Sequence, residues 1–85
     1  MKTLVEAIAK SICDHPDDVE VTETSATSSS IIEVAVHKQD LGKMIGKHGQ
    51  TASAIRTIIY ASSYNFKGPD GKPKRYTLEI NAHPQ

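Results

Sequence analysis

The sequence predicts a single α+β domain whose elements follow the order α-β-β-α-α-β. Segments with apolar residues at helical spacing are interspersed with segments in which apolar and polar residues alternate, and Gly-, Pro- or Ser-rich stretches separate them. The length of 85 residues suits one domain. We therefore expect one domain over 1–85, with an ordered core over about 3–81, in which three helices cover one face of a three-stranded mixed sheet.

The first helix is predicted over about 3–14. Thr3 and Glu6 fit a capping box in which Thr3 is the N-cap, and Pro16 ends the helical pattern. Two neighbouring rows of residues form the apolar stripe, namely Leu4, Ile8 and Ile12 together with Val5, Ala9 and Cys13. Cys13 is accordingly expected to be a small core residue.

Three segments have the alternating pattern of strands. Val19 and Val21 indicate a short first strand, 24–30 reads as a hairpin loop, and 31–36 forms the second strand. The third strand alternates Tyr76, Leu78 and Ile80 with polar residues. The first two strands should be antiparallel, whereas two helices join the second and third strands, which should be parallel with a right-handed crossover. The buried face of the second strand would hold Ile32, Val34 and Val36, and the open face of the sheet would hold Glu33, His37, Thr77 and Glu79.

Two helices are predicted between the second and third strands. Asp40 can cap a short helix that continues to Ile45 and ends at Gly46, and Thr51 is the candidate N-cap of the next helix. The inward face of that helix would be Ile55, Ile58, Ile59 and Ser62, beside a second stripe of Ala52, Arg56, Tyr60 and Ser63. A turn-rich loop follows over 64–74, and the last residues, 83–85, should fray.

Charge is distributed unevenly along the chain although the formal net charge is zero. Residues 1–37 contain two basic and seven acidic residues, whereas 38–75 contain eight basic and two acidic residues. Such asymmetry can indicate a side that faces a polyanion. The alternative is that the two halves neutralise each other in the fold.

The basic segment contains a turn with two glycines three residues apart, Gly46 and Gly49, with Lys47 and His48 between them. Glycines let the backbone approach a ligand closely, and the N-terminus of the following helix favours an anion such as phosphate. A P-loop requires a wider glycine spacing followed by Lys and Ser or Thr. A dinucleotide-binding fingerprint would need glycine where Met44 stands. Both of these motifs are excluded.

The run 45–49 between two helices resembles the signature of the KH domain, and the order of elements resembles the type II form of that domain. Over about 2–81 the chain is similar to the small bacterial stand-alone KH proteins of the KhpA family, most densely over 40–59. This resemblance implies a type II KH fold and non-catalytic binding of single-stranded RNA, in which the loop clamps the nucleotide backbone.

On this interpretation Lys47 supplies a mobile cation, and His48 supplies a donor whose charge depends on pH. Bases would lie in a shallow apolar groove beside Ile45 and an edge of the sheet, with little stacking because no aromatic residue lies in the turn. Binding should be weak and loosely selective. The expected RNA-binding residues are Lys43, Ile45, Gly46, Lys47, His48, Gly49 and Arg56, and the basic residues Lys67, Lys72, Lys74 and Arg75 either extend this surface or belong to a solvated loop.

The resemblance further implies an RNA chaperone that acts as a homodimer, or as a heterodimer with a larger KH partner of the KhpB type, in cell elongation and envelope homeostasis. The alternative is a protein-interaction adaptor with a KH fold and little RNA affinity, which the zero net charge and the acidic first half favour. No cofactor, metal site, membrane association or small-molecule substrate is expected, since the histidines lack metal-ligand spacing and no acid–base constellation suggests an enzyme. The single Cys13 fits a reducing compartment, so a cytoplasmic location is expected.

Overall fold

The computed structural model describes residues 1–63, 71 and 75–84. Its helices and strands follow the predicted order α-β-β-α-α-β, with short 3₁₀ turns at 16–18, 38–40 and 47–49. The predicted loop over 64–74 lies outside the described residues apart from Gly71, and so does Gln85. The elements are α1 (Lys2–Ile12), β1 (Glu20–Ser25), β2 (Ser29–Val36), α2 (Leu41–Ile45), α3 (Gln50–Ser63) and β3 (Arg75–Ala82).

The three strands form one mixed sheet with β2 in the centre. β1 pairs with β2 antiparallel, with Val21 opposite Val34, and β2 pairs with β3 parallel, with Val34 opposite Ile80. Both predicted pairings are confirmed. The strands are longer than predicted, because pairing continues to Ser25 and Ser30 and leaves only 26–28 as the connection.

The core lies between one face of this sheet and the three helices. Ile32, Val34 and Val36 of β2 are all fully buried, as their alternation predicts. α1 packs against β1, whereas α2 and α3 both pack against β3. The opposite face is open, and it carries the exposed side chains of Thr22, Glu33, Thr77 and Glu79; His37, which was expected there, follows the end of β2 and is half-buried.

The start of α1 differs from the prediction. The helix begins at Lys2 after Met1 and has no side-chain cap, so the assignment of Thr3 as N-cap is wrong. Met1 packs against the core, and the helix begins two residues earlier than a Thr3 cap would allow. The buried face consists of Val5 and Ala9, and Cys13 is buried just past the helix end, as expected of a small core residue.

The orientation of α3 also differs from the prediction. The helix begins at Gln50, so Thr51 lies inside it and is not its N-cap. The buried face of the helix is rotated from the predicted one: Ile58, which was expected in the core, is 43% exposed. The side chains that α3 buries are Ala52, Ile55, Ile59 and Ser63.

His83 is held more firmly than the fraying predicted for 83–85 suggests. The backbone N–H of His83 donates to the Val36 carbonyl at 2.9 Å, and its Nε2 lies 2.6 Å from the Asp18 carbonyl. These contacts extend the parallel pairing of β2 and β3 by one residue and tie it to the 3₁₀ turn before β1.

Candidate nucleic-acid interface

The turn between α2 and α3 consists of the four residues 46–49. Gly46 ends α2 with φ 77° and ψ 171°, and its N–H donates to the Gly42 carbonyl at 2.8 Å. The N–H of Gly49 then donates to the Gly46 carbonyl at 3.1 Å. This backbone conformation is accessible almost only to glycine, which explains why one stands where α2 stops.

Gly46 and Gly49 are required for different reasons. A Cβ at Gly46 would lie 2.7 Å from both the Cβ and the backbone nitrogen of Thr51, and closer still to the Thr51 hydroxyl. Gly49 has φ 74°, but a Cβ there would meet no atom within 4 Å. Gly46 is therefore fixed by conformation and by packing against α3, whereas Gly49 is fixed by conformation alone.

His48 adopts a left-handed conformation, with φ 56° and ψ 26°, and among the described residues it is the only non-glycine residue with positive φ. Histidine enters this region more readily than most residues, although at some cost in energy. The turn leaves the Lys47 and His48 side chains exposed at the junction of two helices. A donor and a cation therefore stand beside a backbone that a ligand can approach.

Lys43 and Ile45 lie on opposite flanks of α2. Met44 between them is fully buried, while Ile45 is 40% exposed and Lys43 is also exposed. Successive residues in a helix are 100° apart, so the two outer side chains diverge by about 160° around the axis. Ile45 therefore lies next to the Gly46–Gly49 turn, and Lys43 extends from the opposite flank of α2, less than one helical turn before Gly46.

Lys43 forms an ion pair with Asp14, which follows the end of α1. The hydrogen bond that Lys43 donates to Asp14, together with the negative charge of Asp14, raises the pKa of Lys43 against the opposing effect of desolvation. Lys43 thus remains charged and already has a carboxylate partner in the free protein.

Asp40 precedes α2, as predicted, but its side chain does not cap that helix. It instead accepts hydrogen bonds from the backbone N–H of Asp14 at 3.2 Å and of His15 at 2.9 Å, and His15 Nδ1 lies 3.0 Å from the same carboxylate. Burial would raise the pKa of Asp40, but the hydrogen bonds from His15 and Asp14 outweigh it and lower the pKa below its ordinary value. Because 25 residues separate Asp40 from His15, no local pattern could have revealed this contact.

Two aromatic rings complete this connection between α1 and α2. The imidazoles of His15 and His37 are stacked with centroids 4.1 Å apart and planes 15° apart. His37 Nδ1 in turn accepts the backbone N–H of Gln39 at 3.0 Å and so caps the 3₁₀ turn that leads into α2. The base of α2 is therefore fixed to the end of α1 through side chains on both segments.

Arg56 is exposed on α3, seven residues beyond Gly49 and so about 10 Å along the helix axis. Its assignment to the interface remains a prediction. Arg75 is exposed at the start of β3, and Lys67, Lys72 and Lys74, which were expected to extend the basic surface, lie outside the described residues.

A separate pocket of about 240 Å³ lies at the end of the sheet where β2 stops. Three carboxylates contribute to its wall, so its charge disfavours a phosphate backbone. Its lining residues are Asp17, Asp18, Glu20, His37, Lys38 and His83. Within the described part of the chain, no three His, Cys, Asp or Glu side chains are grouped so as to hold a metal ion, and no helix has the length and apolarity to span a bilayer.

Comparison with known proteins places this geometry in a family. The family model for the KhpA/KhpB KH domain matches residues 2–80. The chain is 51% identical over 80 residues to RNA-binding protein KhpA of Clostridium acetobutylicum, an alignment that covers 94% of this chain and 99% of the relative. It is 54% identical over 63 residues to RNA-binding protein KhpA of Halalkalibacterium halodurans, covering 74% of this chain and 83% of the relative.

A similar fold occurs in a solved structure with a much lower identity. The crystal structure of Era in complex with MgGDPNP and nucleotides 1506–1542 of 16S ribosomal RNA aligns with a TM-score of 0.69 and 19% identity, over 99% of this chain and 30% of that one. This likeness concerns the fold alone. The family match, the extent of the identity and the arrangement of sheet and helices confirm the type II KH fold, and the chain belongs to the KhpA/KhpB KH-domain family.

Proposed function

We propose that the chain binds single-stranded RNA without catalysis, with the turn 46–49 against the sugar–phosphate backbone. The observation that carries this proposal is the conformation of Gly46, which brings an uncluttered backbone and the exposed Lys47 and His48 to the junction of α2 and α3. The curated relatives are named as RNA-binding proteins, which supports the same function. The clamp described for KH domains requires a loop of this kind.

The bases are proposed to lie beside Ile45, on the flank of α2 that faces away from Lys43. Ile45 offers apolar surface next to the turn, and β3 is the edge strand against which α2 and α3 pack. Single-stranded RNA suits such a groove because its unpaired bases can be turned outward. Arg56 is proposed as a further cation and Lys43 as a conditional one, because Asp14 holds it in the free protein.

The experiment replaces Lys47 and His48 by aspartate and titrates a short, unstructured, labelled single-stranded RNA at about 50 and 200 mM salt. Aspartate is tolerated in the left-handed conformation of His48 better than most residues, so the turn should persist, and circular dichroism checks the fold. Lys2→Asp on α1 makes the same change of charge as Lys47→Asp away from the turn. We expect the turn variants to lose binding at both salt concentrations while Lys2→Asp retains it; equal affinity in all proteins refutes the role of the turn.

Finer roles are proposed from the family resemblance, namely RNA chaperone activity in the cytoplasm, in cell elongation and envelope homeostasis. A homodimer or a heterodimer with a larger KhpB-type protein is part of the same proposal. The exposed Ile58 on α3 is available for such a contact. Light scattering of the wild type and of Ile58→Asp tests it, since a shared monomer mass would exclude self-association through this residue.

A protein-interaction adaptor remains the second candidate because the open sheet face is acidic. Glu33 and Glu79 are direct neighbours across β2 and β3, and both are exposed. This face repels a polyanion and suits a basic protein partner. Absence of RNA binding by the wild type even at low salt would favour the adaptor.

A further inference from the structure

Asp14 pairs with Lys43, the one cation on α2, which could otherwise meet a phosphate close to the turn. Lys43 lies two residues before Ile45 and three before Gly46, yet its ammonium group contacts the Asp14 carboxylate. Both side chains are accessible to solvent, with 46% of Lys43 and 67% of Asp14 exposed. A ligand can therefore reach the pair and separate it.

The position of Asp14 is fixed by the chain around it. Its backbone N–H donates to Asp40, whose carboxylate is fully buried and also accepts the N–H of His15. Asp14 is thus held beside α2 by backbone contacts that do not involve its own side chain. The backbone at Asp14 is therefore anchored beside α2 independently of the ion pair.

We propose that Asp14 competes with RNA phosphate for Lys43 and thereby acts as a built-in counter-ion that limits RNA affinity. This inference rests on the proposed RNA-binding function and assigns a positioning role to Asp14, with Asp40 holding it in place. Exposed ion pairs shift an equilibrium by about fivefold at most, which is comparable with the contribution of a single phosphate contact. Neither Asp14 nor an RNA phosphate therefore binds Lys43 much more strongly than the other, and Lys43 can exchange Asp14 for phosphate when RNA is bound.

The competition makes a specific prediction for the substitution Asp14→Asn. Asparagine retains the backbone N–H that Asp40 accepts and is close in size, so the fold should be retained. Lys43 becomes available, and RNA should bind about two- to fivefold more tightly at 50 mM salt. One more phosphate contact should also steepen the slope of log K against log salt by about 0.7.

Asp17→Asn is the matched control, because Asp17 is an exposed acidic residue nearby in the sequence and makes the same change of net charge without contacting Lys43. Lys43→Gln in the wild type should change affinity little, whereas in the Asp14→Asn background it should abolish the gain in affinity and in slope. This cycle separates a specific release of Lys43 from general repulsion between Asp14 and RNA.

The assay is the titration of the labelled single-stranded RNA at about 50 and 200 mM salt for all four variants and the wild type. If Asp14→Asn matches Asp17→Asn, or if its gain persists without Lys43, the competition is refuted while RNA binding by the wild type stands. If the wild type binds no RNA at low salt, the proposed function itself fails. The two failures are therefore distinguishable in one experiment.

Discussion

Replacing Gly46 by alanine should destabilise the domain much more than the same substitution at Gly49 or Gly42. A residue with a Cβ is strained at φ 77° and ψ 171°, which costs about 1–3 kcal/mol. The new Cβ would also lie 2.7 Å from the backbone nitrogen of Thr51, and relieving this overlap costs about 1–3 kcal/mol because backbone must move. We therefore expect a loss of about 2–6 kcal/mol in the free energy of unfolding.

The two other glycines provide graded controls. Gly49→Ala meets no atom within 4 Å and should cost only the left-handed backbone penalty of about 1–2 kcal/mol. Gly42 lies inside α2 without positive φ, and a Cβ there also meets nothing, so Gly42→Ala should stabilise by about 0.5–1 kcal/mol.

Urea unfolding followed by far-ultraviolet circular dichroism measures all three variants against the wild type. A domain of this size has a total stability of about 4–13 kcal/mol, so Gly46→Ala removes a large share of it and can leave the chain unfolded. The order Gly46, Gly49, Gly42 is the critical result. If Gly46→Ala is no worse than Gly49→Ala, the packing of the turn against Thr51 is not as described here.

Three further predictions follow from single side chains. Because the pKa of Asp40 is lowered by folding, its carboxylate stabilises the fold at pH values above the ordinary pKa of 3.8, and this stability is lost as the pH falls through the pKa of the folded state. The urea midpoint of the wild type should therefore drop below about pH 4. Asp40→Asn should be less stable at pH 7 but lack this drop. Burial, and next the charge of Asp40, raise the pKa of the Cys13 thiol, so iodoacetamide should modify it far more slowly in the folded protein than in urea; equal rates would contradict its burial. His48→Val should destabilise by about 1–2 kcal/mol in urea unfolding and His48→Asn by much less, because only the branched residue is excluded from the left-handed region.

The sheet could be predicted from the sequence because its determinants are local and repetitive. Ile32, Val34 and Val36 alternate with polar residues and are all buried, and the two helices before β3 dictate parallel pairing with β2. The glycine turn could also be predicted from the sequence, since Gly46 ends α2 as expected. In these segments local preference and the global fold agree.

The helix termini and the phase of α3 could not be predicted because tertiary contacts decide them. Thr3 and Thr51 are good capping residues, but the packing of Met1 and the turn before Gln50 start each helix earlier. Ile58 has the same spacing as a core residue but is exposed, whereas Ala52 from the adjacent stripe is buried. Hydrophobicity alone does not determine which of two adjacent stripes faces inward.

The hydrogen bonds that join Asp40 to Asp14 and His15 could not be predicted from local sequence patterns either. They also change how the uneven distribution of charge along the chain is interpreted. The acidic first half of the chain supplies Asp14, which meets Lys43 of the basic half, so part of the charge is neutralised within the fold. Lys47 is exposed in the turn that follows α2. Neutralisation within the fold is therefore a feature of this molecule, and the proposed polyanion-facing surface lies on the other flank of α2.

Because Asp14 neutralises Lys43, few cations are left for the proposed RNA interface, and their number predicts the slope of log K against log salt. With Lys43 held by Asp14, the permanently charged side chains assigned to the interface are Lys47 and Arg56, which corresponds to a salt slope of about 1.4 for single-stranded RNA. Release of Lys43 in Asp14→Asn should raise the slope to about 2. In the proposed interface, affinity must come largely from the backbone fit at Gly46 and Gly49 and from apolar contact at Ile45, because two phosphate contacts cannot supply it. A wild-type slope well above 2 would mean that cations outside this group, such as Arg75, contact the RNA, and the interface would have to be extended along β3.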